Sequence, residues 1–167
     1  MRKTTLLLTA AIILVMVNYS IWQREALISS GRTILLELAP VDPRSLMQGD
    51  YMALHFKMAT EVFSNDKIKG LKDGRIILAV DANNVATFRR FADSSQPAAD
   101  EVLIRYRIRN QQPKFATNAF FFQEKQGSYY QNAKYGEFRL SSDGEAILVG
   151  MRGADLQILG PKTGETR

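Results

Sequence analysis

The sequence predicts a mainly β protein, a single sandwich or partly open barrel, with a transmembrane helix at its N-terminus. A run of 19 residues without a formal charge, residues 4–22, opens the chain. Seven to nine short segments with the composition of strands follow it, separated by residues typical of tight turns. We therefore divide the chain into an anchor and short stalk (1–30), a β-rich extracytoplasmic domain (31–161) and a frayed tail (162–167).

The N-terminal segment is long and apolar enough to form a membrane-spanning helix. A helix of 19 residues covers nearly the ~30 Å of a bilayer's hydrocarbon core. Arg2 and Lys3 precede the run, and Tyr19 and Trp22 near its far end suit the membrane–water interface. The helix is expected to end near Gly31, since glycine favours the position that follows a helix.

A cleaved signal peptide with its apolar centre at residues 6–17 is the alternative interpretation. Cleavage requires small residues at the first and third positions before the cut. A cut after Ser20 places Asn18 at the third position, and a cut after Ala26 places Arg24 there. We therefore favour a retained anchor. In either case the basic start stays in the cytoplasm and the domain lies on the outer side of the membrane.

Short strands and turns are predicted along the rest of the chain. The alternation of apolar and polar residues from Met52 predicts a half-buried strand over residues 51–59. The dipeptides Asp73-Gly74 and Asn83-Asn84 are typical of turns, and a hairpin is predicted over residues 75–91. Further strands are predicted over residues 33–38, 101–109, 116–123, 135–140, 146–151 and 156–159, with a turn or short helix over 128–134.

The composition excludes several kinds of site. The chain has no cysteine, so disulfides, thiolate ligands, a cysteine nucleophile and a lipoprotein anchor are excluded. A net charge of +5 spread over 22 basic and 17 acidic residues is too small for a nucleic-acid partner. His55, the only histidine, falls on the polar face of its predicted strand, so we expect no metal site and no Ser-His-Asp triad. We expect no cofactor, and the sequence points to no particular small-molecule ligand.

The stretch from Pro40 to Phe56 organises the predicted domain. Two prolines and the Gly49-Asp50 pair shape a turn that leads into a strand. The segment Gly49-Asp50-Tyr51-Met52-Ala53-Leu54-His55-Phe56 resembles the bacterial membrane-anchored family named for its GDYxxLxY motif. The residues Asp42-Pro43-Arg44 and segments 135–138 and 146–152 support the resemblance. Phe56 departs from the motif, because it stands where the family has a tyrosine and lacks the hydroxyl.

The resemblance implies a location and a kind of partner. The family carries no assigned activity, and its members often occur alongside polytopic membrane proteins. The chain is therefore expected in the bacterial inner membrane as a single-pass protein whose C-terminal domain lies in the periplasm. Its expected partner is an integral membrane protein.

Eight residues are candidate binding residues. Asp50 could bind a partner or a cation, or it could accept backbone N–H bonds within its turn, and Asp42 could pair with Arg44 across the same turn. On one face of the strand 101–109, arginines stand about 6.6–7 Å apart. This arginine ladder could bind an anionic ligand such as lipid headgroups, or it could pair with acids across strands. The eight residues are Asp42, Arg44, Gly49, Asp50, Tyr51, Arg105, Arg107 and Arg109.

The function we expect is that of a non-catalytic accessory or assembly subunit of a membrane protein complex, not of an enzyme. One alternative is an exported serine peptidase-like enzyme, and the other is a module that binds an envelope ligand or anionic lipid. In the serine–lysine membrane proteases that release signal peptides, the nucleophile precedes Gly-Asp by roughly eight residues. Here Val41 stands at that position and Ser45 is too near. The arginines of the ladder cannot act as the base at neutral pH.

Overall fold

The computed structural model describes residues 2–39, 47–48, 51–63, 71–93, 96–110 and 112–161. These residues form three helices and eleven strands, so the prediction of a mainly β protein with an N-terminal helix is confirmed. The helices are α1 (Arg2–Ser30), α2 (Lys57–Val62) and α3 (Gly127–Tyr130). The strands are β1 (Arg32–Glu37), β2 (Met47–Gln48), β3 (Tyr51–Ala53), β4 (Gly74–Val80), β5 (Val85–Phe91), β6 (Glu101–Arg109), β7 (Gln112–Phe115), β8 (Ala119–Phe121), β9 (Tyr135–Leu140), β10 (Ala146–Arg152) and β11 (Ile158–Leu159).

Helix α1 ends next to Gly31, as predicted, and contains an 18-residue stretch with a mean hydropathy of 1.9. In the part of the chain that the structure describes, it is the one helix long and apolar enough to cross a membrane, a property that a signal sequence shares. Two polar side chains of its apolar stretch form hydrogen bonds within the helix. Thr9 donates a hydrogen bond to the carbonyl of Thr5 (2.9 Å), and Asn18 donates to the carbonyl of Leu14 (2.8 Å). Such bonds lower the cost of placing polar groups in hydrocarbon.

Eight strands form one large sheet in the order β11-β10-β9-β1-β5-β4-β6-β7. All neighbouring strands are antiparallel except β1 and β5, which are parallel. The sheet is open and is not a closed barrel. Its curvature nevertheless brings the turn between β9 and β10 against β6, where the backbone N–H of Arg105 donates to the carbonyl of Gly144 (2.9 Å).

The core lies between one face of this sheet and a layer made by α2, α3 and a small sheet, β2-β3-β8. Phe56, just before α2, packs edge-on against Phe115 of β7 and Phe138 of β9, with ring centroids 6.1 and 5.7 Å apart. Phe115 and Phe138 are fully buried. Burying a side chain of this size contributes about 1.5–3 kcal/mol, so the apolar face of each strand fixes its orientation.

Two predicted strands require correction. The strand predicted over residues 51–59 ends at Ala53, and α2 begins at Lys57. Met58 is buried as the alternation predicts, but it shares a helix face with Val62 four residues later, a spacing that period-two reasoning overlooked. The strand predicted over residues 116–123 is shortened to β8, and Ala116, with a φ of 47°, ends the preceding strand β7.

The remaining element predictions are confirmed. The hairpin at residues 75–91 is β4 and β5, and the segment 135–151 forms the hairpin of β9 and β10. The turn or short helix predicted over residues 128–134 overlaps α3. The additional strand near the C-terminus is β11. The tail predicted to fray, residues 162–167, lies outside the described residues.

Candidate functional site

The arginine ladder lies on the face of β6 that points away from the core. Strand register places Arg105 opposite Arg75 of β4, Arg107 opposite Lys114 of β7 and Arg109 opposite Gln112. The intervening side chains pack into the core. The predicted alternation of apolar and arginine side chains along this strand is therefore confirmed.

The ladder lines a groove of about 350 Å³, which we call the basic groove. The groove is shared by four elements: the last turns of α1, strands β6 and β7, and the turn between β9 and β10. Arg24 of α1 closes one side and forms an ion pair with Glu145 of the turn (2.8 Å). The lining residues are Arg24, Arg105, Arg107, Arg109, Lys114, Ala116, Gly144, Glu145 and Ala146.

Acids from two turns pair with the outer members of the ladder. Arg105 contacts Asp143 (3.1 Å) and Arg109 contacts Asp73 (3.0 Å). Asp73 immediately precedes β4, the strand that pairs with β6, whereas Asp143 lies in the turn between β9 and β10. Within the described residues, Arg107 forms no ion pair and faces the cation of Lys114.

The two paired carboxylates are held ionised by hydrogen bonds. The pKa of Asp73 is lowered chiefly because it accepts the backbone N–H of Ile108 (2.8 Å), and Arg109 lowers it further. The pKa of Asp143 is lowered chiefly by the hydroxyl of Ser141, which donates to it. Both carboxylates are therefore charged at neutral pH and keep their pairing with the arginines there.

The end of α1 is attached to the sheet beside the groove. The backbone N–H of Gly31 donates to the carbonyl of Leu27 (2.9 Å), and Arg139 of β9 donates to the carbonyl of Gly31 (3.4 Å) and to the hydroxyl of Thr33. These contacts fix the direction in which α1 leaves the sheet. They therefore also fix the position of Arg24 relative to the ladder.

A second, more apolar cavity of about 570 Å³ lies on the other side of the β9–β10 turn. We call it the helix cleft, because the last turns of α1 form one wall and β6 forms another. Its floor is largely aliphatic and its rim is polar. The lining residues are Gln23, Ala26, Leu27, Ser30, Gly31, Arg32, Pro97, Glu101, Val102, Leu103, Leu140, Ser141 and Ser142.

At the edge of the helix cleft, Glu101 is 6% exposed and carries a buried charge. It accepts hydrogen bonds from Arg90 (2.6 Å) and from the backbone N–H of Ala98 (3.0 Å), and Arg89 lies at 3.2 Å. The bond from Arg90 is the largest cause that lowers the pKa of Glu101. These contacts balance the charge and tie β5 to β6, which is a structural role.

The motif residues that the structure describes, 51–56, do not line the basic groove. Tyr51 of β3 stands opposite Phe121 of β8, with ring centroids 5.8 Å apart, and it does not line the groove. The predicted binding residues Asp42, Arg44, Gly49 and Asp50 lie outside the described residues, and their roles stay predictions. His55 is exposed, and no group of three or more metal-binding side chains occurs in the described ranges.

Sequence reasoning missed two cations of the groove. Arg24 was considered only as an unsuitable residue before a cleavage site, although it is the first charged residue after the apolar run. Lys114 was missed because no strand was predicted at residues 112–115. The signal for that strand was the alternation of Gln112, Pro113, Lys114 and Phe115, of which Phe115 is buried.

Comparison with known proteins matches the chain to one family. The family model described as "GDYXXLXY protein" matches residues 13–151. The match includes all residues of the basic groove and the strand that carries Tyr51. No curated protein and no solved structure matches the chain.

Proposed function

The chain belongs to the GDYXXLXY family, and from this premise we propose that it is a non-catalytic accessory subunit of a membrane protein complex. In this proposal α1 is a retained anchor in the inner membrane, and the β-domain lies in the periplasm. The partner is an integral membrane protein. The observation that carries the proposal is the structural continuity of α1 with the sheet beside an open apolar cleft.

The contacts of α1 support its retention. Its large apolar side chains along residues 6–22 are exposed in the isolated chain, as expected for a helix that faces lipid or another helix. Its last turns contribute Arg24, Ala26 and Leu27 to the two cavities. A cut after Ala26 would remove the Arg24–Glu145 ion pair and would take Gln23 and Ala26 from the wall of the helix cleft.

The helix cleft is the surface we assign to the partner. Leu27, Leu103 and Leu140 supply an apolar floor, and Gln23, Ser141 and Ser142 supply hydrogen-bonding groups at the rim. An apolar centre with a polar rim is typical of protein interaction surfaces. The cleft adjoins the last turns of the anchor. An extramembrane loop of a neighbouring membrane protein is therefore the occupant that this position favours.

The test is site-specific photo-crosslinking of the full-length chain in native membranes. A photoreactive amino acid replaces Ser142, an exposed residue of the cleft, and in the control it replaces Asn83, an exposed residue of the β4–β5 turn. We expect an adduct with one polytopic membrane protein from position 142 and none from position 83. Recovery of only the lone polypeptide in mild detergent, with no adduct from position 142, would contradict the proposal.

A further inference from the structure

We propose that the basic groove binds the phosphate of an anionic phospholipid headgroup at the outer surface of the membrane. This inference rests on the part of the proposed function that keeps α1 in the bilayer, and it does not depend on the protein partner. The groove is built by α1 and by the sheet together. It therefore exists only when both are present.

The first argument is the charge that the groove leaves uncompensated. Five cations and the carboxylate of Glu145 line it, and Asp143 and Asp73 pair with two of the arginines from outside the lining. The surplus falls on Arg107 and Lys114, neither of which forms an ion pair among the described residues. A guanidinium beside an ammonium forms a site suited to an oxygen-rich anion such as a phosphodiester.

The second argument is the register of the two surplus cations. Arg107 and Lys114 stand directly opposite each other on β6 and β7. Side chains in such a pair have Cβ atoms about 4.5–5.5 Å apart, and like charges at this position destabilise a sheet. A phosphate between the two side chains would remove this repulsion. The sheet therefore carries an unfavourable pair that a bound anion would convert into a favourable one.

The third argument is the position of the groove relative to the bilayer. Arg24 follows Trp22 by two residues, about 3 Å along the helix axis, and tryptophan prefers the membrane–water interface. The polar layer on each side of a bilayer is about 5–7 Å thick. Arg24 therefore lies at headgroup level, and the rest of the groove faces it. A lipid phosphate is present there at high local concentration, which favours lipid over a dissolved anion.

The experiment uses the chain's only tryptophan, Trp22, as the reporter. The full-length chain is reconstituted in phosphatidylcholine nanodiscs, and its fluorescence quenching by brominated phosphatidylglycerol is compared with quenching by brominated phosphatidylcholine. The ratio gives the relative binding of the anionic lipid next to α1. Each basic residue near a surface contributes roughly a fivefold preference, so we expect the wild-type chain to favour phosphatidylglycerol by about fivefold or more.

The groove variant is R107Q/K114Q, which is expected to lower the preference to about one. The variant should fold, because it removes a like-charge pair and no ion pair between described residues, and circular dichroism checks this. The matched control is K57Q/K125Q, which removes the same charge outside the groove. Lys57 contacts Glu37, which keeps a contact with Lys134 (3.6 Å) in the control. The control should retain the wild-type preference.

Four outcomes would overturn the inference, and they have different meanings. Equal losses in both double variants would show an effect of net charge alone. Loss of the preference on adding millimolar inorganic phosphate at constant ionic strength would identify a site for free phosphate. Quenching without preference in the wild type would remove the groove's role and leave the subunit role standing. Absence of quenching by either lipid would show that α1 is outside the bilayer, and it would overturn both proposals.

Discussion

At the scale of single residues, Gly144 holds the turn that closes the basic groove. Its φ is +89°, and a Cβ atom there would lie 3.1 Å from the carbonyl oxygen of Leu103 and 3.2 Å from the amide nitrogen of Arg105. Both neighbours are backbone atoms of β6, which cannot move without disturbing the strand. The turn therefore needs glycine for its conformation and for its close approach to the sheet.

We predict that Gly144→Ala lowers the free energy of unfolding by about 1–3 kcal/mol, because it combines left-handed backbone strain with a contact against backbone. Urea denaturation of the full-length chain in mild detergent measures the change. Gly150→Ala is the control, since no atom lies within 4 Å of a Cβ built there. Its effect should be smaller than about 0.5 kcal/mol. Equal losses in the two variants would contradict this interpretation of the turn.

Phe56 is the residue at which the chain departs from its family's motif. It is 2% exposed and lines a cavity of about 190 Å³ together with Asn118. The Oδ1 atom of Asn118 is buried and accepts no hydrogen bond from the described residues. Phe56 and this available acceptor therefore line the same cavity.

We predict that Phe56→Tyr changes the free energy of unfolding by less than about 1 kcal/mol, because the added hydroxyl can donate to Asn118. In an Asn118→Ala background the same substitution should cost about 1–3 kcal/mol, the usual cost of a buried polar group without a partner. A double-mutant cycle measures the difference. If Phe56→Tyr has the same effect in both backgrounds, the hydroxyl does not reach Asn118.

At the scale of elements, a bulge in β5 builds the charged network around Glu101. The register skips Arg89 between the pairs Ile77–Arg90 and Leu78–Phe88. The extra residue returns Phe91 to the side of the core, where it packs edge-on against Phe63 at 5.7 Å. A regular strand would place the two consecutive arginines on opposite faces. The bulge instead brings both of them within reach of one carboxylate.

We predict that Glu101→Gln lowers the melting temperature by about 5 °C at neutral pH, because the neutral amide loses the charge-assisted contacts that the carboxylate makes with Arg90 and Arg89. The pKa of Glu101 is lower in the folded chain than its ordinary value of 4.5. Its contribution is therefore complete above about pH 4.5 and is lost as the pH falls through the folded-state pKa. Melting curves between pH 7 and 3 should show a weaker pH dependence for the variant than for wild type. An equal dependence would contradict the role of Glu101.

Local turn chemistry explains which elements were predictable from the sequence. Asn83-Asn84 and Asp143-Gly144 lie in tight turns that depend on local residues, and the strands beside them were predicted with bounds close to those observed. Strand β7 was missed because Pro113 argues against a strand, although an edge strand tolerates proline where no ladder N–H is needed. Helix α2 was missed because Met58 fits both the period-two alternation from Met52 and the four-residue spacing to Val62, and only the first was used.

The arginine ladder was predictable from local sequence, whereas the basic groove was not. The ladder depends on period-two alternation within one strand and was predictable from residues 101–109. The groove depends on the placement of Arg24 and Lys114 from distant elements, and on acids that arrive from the turns at Asp73 and Asp143. Sheet curvature controls those placements, and no local pattern in the sequence encodes it.

At the scale of the whole molecule, the position of α1 determines what the two cavities can do. Both use residues from its last turns, so both would lose a wall if the helix were removed. The helix exposes its apolar side chains along residues 6–22, a surface that is stable in a bilayer and unfavourable in water. The groove and the cleft therefore both need the last turns of α1, and the functions proposed for them depend on retention of the N-terminal residues.

We predict that the mature chain keeps its N-terminal segment, because residues 24–31 complete the structure of the domain. Mass spectrometry of the chain isolated from membranes should give a mass close to the 18.8 kDa of the full sequence. The chain should also stay in the membrane fraction after alkaline carbonate extraction. A mature chain that begins after Ser20 and is recovered in the soluble fraction would contradict the prediction. In that case the Arg24–Glu145 pair could close the groove, but no anchor would hold the groove at headgroup level.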